Sequence, residues 1–134
     1  MRILMLTISL ALLAVASCNS TPTPDKLMDE ANSSMQSGYE ALDKMTGDLI
    51  KDDSKGAAKQ LNKAIKHFDQ ATVYLAQAEL PEADQPAVSQ LQKGLDALEQ
   101  CVKALEGSDM DKAQTLYVQA RQHFEGARSL LRST

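Results

Sequence analysis

Apolar residues recur at an alternating spacing of three and four residues in four segments between residues 28 and 131. This period puts them on one stripe of an α-helix, and the strict alternation typical of a half-buried strand is absent. The predicted core positions are Met28, Ala31, Met35, Gly38, Leu42, Met45, Leu49, Ala57, Leu61, Ala64, Phe68, Ala71, Leu75, Ala78, Val88, Leu91, Leu95, Leu98, Val102, Leu105, Ala113, Tyr117, Ala120, Phe124, Ala127 and Leu131. Short connections make neighbouring helices antiparallel. The pattern therefore predicts an all-α, antiparallel up-down-up-down four-helix bundle.

Residues that favour helix ends mark the first two helices. Thr23 is predicted to cap the first helix, with Pro24 at its first helical position. Gly47 lies inside this segment and is expected to bend the helix or end it early. Asp53 or Ser54 is predicted to cap the second helix.

The other boundaries follow from prolines and glycines. The run Leu80–Pro86 contains two prolines, which cannot both lie inside a helix, so it is predicted to be a break. Gly107 is suited to the C-terminal cap of the third helix. The stretch from Ser108 to Asp111 matches a capping box that opens the fourth helix.

The second and fourth segments match without gaps at an offset of 56 residues. Asp53, Ala57, Ala64, His67, Phe68, Ala71 and Leu75 recur as Asp109, Ala113, Ala120, His123, Phe124, Ala127 and Leu131. Their shared Ala-x-x-x-Phe-x-x-Ala motif resembles the second helix of tetratricopeptide repeats, which implies an alternative fold of two stacked hairpins. The Trp, Leu-Gly and Tyr signature of that family's first helix is missing, and two hairpins are fewer than such arrays usually contain.

A short apolar run follows Met1-Arg2 and ends in Val15-Ala16-Ser17-Cys18. It is shorter than the roughly 20 residues of a membrane span and has the size of a signal-peptide core. An aliphatic residue, two small residues and a cysteine resemble the lipobox of bacterial lipoproteins. In that family the cysteine becomes the first mature residue and carries fatty acyl chains such as palmitate. The alternative is ordinary cleavage after Ala16, which would leave Cys18 as a plain thiol.

The lipobox resemblance implies a domain organisation and a location. Residues 1–17 would be the signal peptide, residues 18–24 the lipidated Cys18 and its tether, and residues 25–134 the helical bundle. Asn19 stands where an Asp would resemble the inner-membrane retention signal of Gram-negative lipoproteins. We therefore expect a lipid-anchored protein of the cell envelope, at the outer membrane facing the periplasm in a Gram-negative source.

Charge and motif content exclude several classes of function. The net charge is -4. Arg2 is the only charged residue before Cys18, so cleavage there leaves 13 basic against 18 acidic residues and a net charge of -5. An acidic chain with 4% aromatic residues offers little to nucleic acid. There is no Ser-His-Asp or Cys-His arrangement, no phosphate-binding glycine loop and no paired-cysteine motif. We expect neither an enzyme nor a cofactor.

Two equivalent histidines are the strongest candidates for metal ligation. His67 and His123 each precede a core phenylalanine, and Asp69 or Glu125 lies nearby. Imidazole with carboxylate can ligate a divalent cation, but such a site also needs a third convergent ligand. Histidines that flank the core more often lie at the bundle edge, so we expect no metal site.

Two further features complete the candidate sites. Lys55, Lys59, Lys63 and Lys66 form a basic stripe along the second helix, suited either to a polyanion or anionic lipid or simply to solvent. Cys101 flanks a core position and has no partner in the chain if Cys18 is acylated. The usual interpretation of such a cysteine is a small buried hydrophobic residue.

These features together predict a lipid-anchored lipoprotein of the cell envelope. It would be an accessory or scaffold protein that acts through contacts with a protein partner, with membrane attachment supplied by the lipid at Cys18. The alternative is a small ligand- or metal-binding bundle that uses His67 and His123.

Overall fold

The computed structural model describes residues 23–132, so the predicted signal peptide, Cys18 and the tether through residue 22 lie outside the described residues. The helices are α1 (Pro24–Ile50), α2 (Ser54–Gln77), α3 (Gln85–Glu106) and α4 (Met110–Arg132), with a short 3-10 helix at Glu82–Asp84. Residues 23–132 contain no strand. Neighbouring helices are antiparallel and pack around one core, which confirms the predicted all-α four-helix bundle.

Side-chain caps start the first two helices as the sequence predicts. Thr23 Oγ1 accepts from the N–H of Lys26 at 3.2 Å, and Asp53 Oδ1 accepts from the N–H of Gly56 at 2.9 Å. Helix α1 begins at Pro24, so it includes the last residue of the predicted tether. Of the two outcomes expected at Gly47, a bend or an early end of α1, the early end is wrong, because the helix continues through Gly47 for three more residues.

The predicted break between α2 and α3 is present, but its second proline lies elsewhere. Pro81 precedes the 3-10 helix, whereas Pro86 lies in the first turn of α3. A proline is tolerated there because an N–H in the first turn has no partner within the helix. At the other end of α3, Gly107 is the C-terminal cap, as predicted.

The predicted capping box at the start of α4 is wrong in its cap residue. Asp109, not Ser108, accepts from the N–H of Lys112 at 3.2 Å. Ser108 instead has φ 59, and its N–H donates to the carbonyl of Leu105. Ser108 therefore belongs to the turn that closes α3, and Asp109 is left to accept from the first N–H groups of α4.

The core follows the predicted stripes most closely in α2. Six of its seven predicted positions are buried, and only Ala78, beyond the helix end, is half-buried. On the other helices, four predicted positions are only half-buried: Met28, Leu49, Val88 and Tyr117. The stripe of α1 is also wider than predicted, since Leu27, Tyr39 and Ala41 are buried. Cys101 is buried on α3, which confirms that it is a small core residue.

The 56-residue repeat extends over both hairpins, not only over α2 and α4. The α1–α2 turn has Asp52 at φ 57, and the α3–α4 turn has its counterpart Ser108 at φ 59. In both turns the N–H of the following Asp donates, at 2.8 Å, to a carbonyl five residues back. The two hairpins therefore share one local structure, related by an approximate twofold axis along the bundle.

The aromatic rings of α2 and α4 meet on this axis. Phe68 and Phe124 stack with ring centroids 3.7 Å apart and an interplanar angle of 6°. Each ring also lies against a glycine of its own hairpin, Phe68 against Gly38 and Phe124 against Gly94. The first and last helices contact each other through side chains as well, so the four helices enclose one core. The fold is this closed bundle and not the alternative of two stacked tetratricopeptide-like hairpins.

Candidate functional site

The two hairpins meet along two seams, one between α2 and α3 and one between α1 and α4, and the two seams differ. Helices α2 and α3 pack directly against each other, whereas the backbones of α1 and α4 scarcely approach within 8 Å. Leu61 and Ile65 of α2, and Leu95 and Val102 of α3, belong to the core or pack against it. Their counterparts at the α1–α4 seam, 56 residues away, are Tyr117, Arg121, Tyr39 and Thr46. Amphipathic side chains thus hold α1 and α4 together where aliphatic ones close the other seam.

The distal part of the α1–α4 seam, where α1 ends and α4 begins, forms an apolar groove of about 430 Å³. Its residues are Met45, Thr46, Leu49, Ile50, Cys101, Leu105, Met110, Ala113, Gln114, Tyr117 and Val118. Three of them are large apolar side chains left in solvent: Ile50 is 81% exposed, Val118 48% and Met110 44%. No side chain in this lining carries a formal charge at neutral pH.

The equivalent depression at the α2–α3 seam has charged side chains in its lining. It is lined by Ser54, Lys55, Ala58, Leu105, Glu106 and Ser108. Ser54 corresponds to Met110 and Glu106 to Ile50. The duplicated fold therefore has one version of this surface with charged residues and one without.

Cys101 lies on the floor of the apolar groove. Its thiol donates to the carbonyl of Ala113 at 3.2 Å, which ties α3 to α4 beneath the groove. Burial raises the pKa of this thiol to about 11. The thiol is therefore protonated at neutral pH and is a poor nucleophile there.

A polar cluster bounds the groove at the middle of the seam. The Arg121 guanidinium donates to Tyr117 Oη at 2.8 Å and to Asp43 Oδ1 at 3.3 Å, and Thr46 Oγ1 lies 3.2 Å from Tyr117 Oη. Burial lowers the pKa of Arg121, but Tyr117 and Asp43 more than offset it, so that the pKa is raised. Arg121 also lies over the Tyr39 ring, 5.7 Å from its centroid. The cluster joins α1 to α4 without closing the seam.

Beyond this cluster the seam opens again toward the start of α1. A second depression of about 340 Å³ is lined by Asn32, Met35, Gln36, Tyr39, Arg128 and Leu131. Arg128 lies over the Tyr39 ring, 5.5 Å from its centroid. Amide and guanidinium groups make up half of this lining, so the apolar surface of the seam is concentrated at the distal end.

The two candidate histidines lie near different helices. His123 Nδ1 donates to Gln90 Oε1 of α3 at 2.7 Å, which occupies one of its two ring nitrogens. His67 instead lines a shallow depression with Ser37 and Glu40 of α1. Within the described part of the chain, no three His, Cys, Asp or Glu side chains are grouped so as to hold a metal ion.

The basic stripe on α2 is exposed along its whole length. The acidic residues of α1 could have neutralised the positive charge of these lysines, but none of them forms an ion pair with the lysines. Among the side chains of residues 23–131, the pair of Arg121 and Asp43 is the only ion pair. The positive charge of the stripe is therefore not neutralised by an ion pair with any side chain of residues 23–131.

Comparison of the chain with protein-family models, with curated proteins and with solved structures gave no match. Among the described helices, none has the length and apolar character needed to cross a membrane. The geometry of the bundle is therefore what identifies the apolar groove as the candidate site.

The periodic pattern of the sequence does not predict the apolar groove. Ile50, Met110 and Val118 lie off the core stripes, and a single exposed apolar residue is unremarkable on a protein surface. A signal is nevertheless present in the repeat, because the counterparts of these residues are Glu106, Ser54 and Asn62. The polar-to-apolar exchange at three positions converging on one seam marks the groove.

Proposed function

We propose that this chain is a lipid-anchored accessory protein of the cell envelope that binds a protein partner through the apolar groove. The observation that carries the proposal is the convergence of Ile50, Met110 and Val118 on one surface. Among residues 23–131 the other large exposed apolar residues are Val73 and Leu130. An exposed isoleucine beside uncharged side chains resembles the apolar centre of a protein interface, from which charged residues are depleted.

The composition of the groove also supports a protein partner. Met45 and Met110 line it, and flexible methionine side chains adapt to the shape of a bound protein. Tyr117 adds an aromatic ring with a polar end, a type of side chain enriched at interfaces.

The position of the groove suits a lipid anchor at the other end of the bundle. Pro24 lies six residues after Cys18, and Ile50 lies 26 residues farther along α1. At 1.5 Å per residue, the groove is about 40 Å from the end of the bundle that would face the membrane. The proposed anchor would thus present the groove away from the lipid surface, where a protein partner has access to it.

Site-specific photo-crosslinking in cells tests the groove. A photoreactive phenylalanine analogue replaces Val118 in the groove or, as the control, Val73, which is 42% exposed on α2 outside it. The proposal expects one protein adduct from position 118 and none from position 73. Ile50→Glu, which introduces the residue of the equivalent position Glu106, should abolish that adduct. An adduct that survives Ile50→Glu, or that forms equally from position 73, contradicts binding at the groove.

The anchor is tested separately. Cys18→Ser should block lipoprotein processing and release the protein from the membrane fraction, because the acyl chains have no other attachment in this proposal. If the variant and the wild type migrate and partition alike, the protein is not lipidated at Cys18.

A further inference from the structure

Four lysines lie on one face of α2, and we call Lys55, Lys59, Lys63 and Lys66 the lysine stripe. At 100° per residue they fall within about 80° of arc, and they span roughly 16 Å along the helix. All four are exposed. The stripe is therefore a nearly straight row of ammonium groups in a chain whose net charge is -4.

No acidic side chain of the described residues pairs with the stripe. Glu40 lines the same depression as Lys63, and Glu106 the same depression as Lys55, but neither makes an ion pair within 4.0 Å. Asp69, one turn beyond Lys66, makes none either. The charge of the stripe is left to solvent or to a bound molecule.

The stripe opposes the stability of its own helix. Lys55 lies in the first turn of α2, where the helix dipole disfavours a cation; the cap residue Asp53 precedes that turn, and the turn itself contains no acidic residue. Successive lysines three or four residues apart also repel one another. Helix α4 shows the alternative, since its counterparts are Asp111, Thr115, Gln119 and Gln122. The fold therefore does not require these four cations.

We propose that the lysine stripe binds a linear polyanion, a polymer with closely spaced phosphate groups. A row of cations matches an extended anionic chain, whereas a flat membrane would also have to meet Glu40 and Glu106, which flank the row on α1 and α3. The anionic groups of a bound polymer would relieve the repulsion between the lysines, and no ion pair among the described residues relieves it. The proposal is independent of the partner at the apolar groove.

Binding of inorganic polyphosphate to the full-length chain in an uncharged detergent tests the stripe. Four contacts predict that the logarithm of affinity falls with that of salt concentration with a slope of about -3. Affinity should therefore fall roughly 60-fold between about 50 and 200 mM salt. Changing all four stripe lysines to Gln should abolish binding and raise the melting temperature by a few degrees, because the repulsion is removed.

The matched control changes Lys26, Lys93, Lys103 and Lys112 to Gln, which gives the same net charge. It should keep polyphosphate affinity within about twofold of the wild type, because the four contacts remain. Equal loss of affinity in both variants, or none in the stripe variant, overturns the proposal. Displacement of polyphosphate by anionic phospholipid added to the detergent micelles at equal phosphate concentration also overturns it, since the surface would then bind lipid headgroups.

Discussion

The two seams of this bundle are built from equivalent positions of a duplicated hairpin and differ in how they close. At the α2–α3 seam, aliphatic side chains such as Ile65 and Leu95 join the core and the helices touch. At the α1–α4 seam, their counterparts Arg121 and Tyr39 form a cation–π contact and the helices stay apart. The comparison shows that the open seam and the closed seam differ in their side chains at equivalent positions, while both hairpins keep the central pair of rings.

We expect the core between the two seams to be symmetric. The substitutions with the largest expected effects on the free energy of unfolding test this symmetry. Phe68→Ala and Phe124→Ala should each lower the free energy of unfolding by about 3 to 5 kcal/mol, because each removes a fully buried ring. Chemical denaturation measures both. A loss below about 1 kcal/mol in either variant would contradict the central stack of the two rings.

The pH dependence of stability tests whether the Cys101 thiol is buried beneath the groove. The pKa of Cys101 is raised to about 11 by burial, above the unfolded value, so the unfolded state loses the proton first. The thiol's contribution to stability is therefore present below the unfolded pKa of about 9 and is lost as the pH rises toward 11, by about 2 to 3 kcal/mol. Cys101→Ala, compared with the wild type by denaturation over this range, should lack that part of the loss. Parallel curves for the two proteins would show that the thiol is accessible to water.

The glycines opposite the rings give a coupled prediction for the two hairpins. A Cβ at Gly38 would lie 2.6 Å from Phe68, and one at Gly94 would lie 2.5 Å from Phe124. Gly38→Ala and Gly94→Ala should therefore each destabilise the protein by about 1 to 3 kcal/mol through overpacking. In a Phe68→Ala background, Gly38→Ala should instead be neutral or stabilising in thermal melts, since Ala favours a helix. A cost that persists in that background would rule out steric conflict with the ring as its cause.

The smallest effect concerns the open seam itself. Asp43→Ala removes the Arg121 ion pair, in which Asp43 is 73% exposed, and should destabilise the protein by less than about 1 kcal/mol. The effect, measured by denaturation, should shrink at about 1 M salt, because exposed ion pairs are screened. Glu99→Ala, at the equivalent position of the other hairpin, breaks no ion pair and should show no such salt dependence. Equal salt dependence in both variants would remove the distinction between the seams at this position.

The core is predictable from the sequence because burial follows the helical period. The period and the cap preferences predict six of the seven stripe positions of α2 correctly, together with the Thr23 cap, a cap at Asp53 or Ser54, and the burial of Cys101. Tyr117 shows where the period fails, since it is predicted to be a core residue but is half-buried, because α1 and α4 stay apart there. A heptad pattern says which side of a helix faces inward, not how far away the neighbouring helix lies.

The heptad pattern does not predict the groove either, because it does not give the distance between helices. Whether Val118 is an isolated exposed residue or one wall of a groove depends on the distance between α1 and α4, which no local pattern encodes. The heptad pattern likewise places Gly38 on the core stripe, but only the structure identifies the ring that this glycine admits.

The seven-residue connection between α2 and α3 has a consequence for the symmetry of the molecule. Two separate copies of one hairpin, associated about a twofold axis, would have identical seams, and any substitution would change both. Joining the hairpins in one chain through residues 78–84 lets each seam carry its own side chains. Each seam also takes one helix from each hairpin, so that neither half of the chain contains the apolar groove alone. The groove is a property of the fused pair.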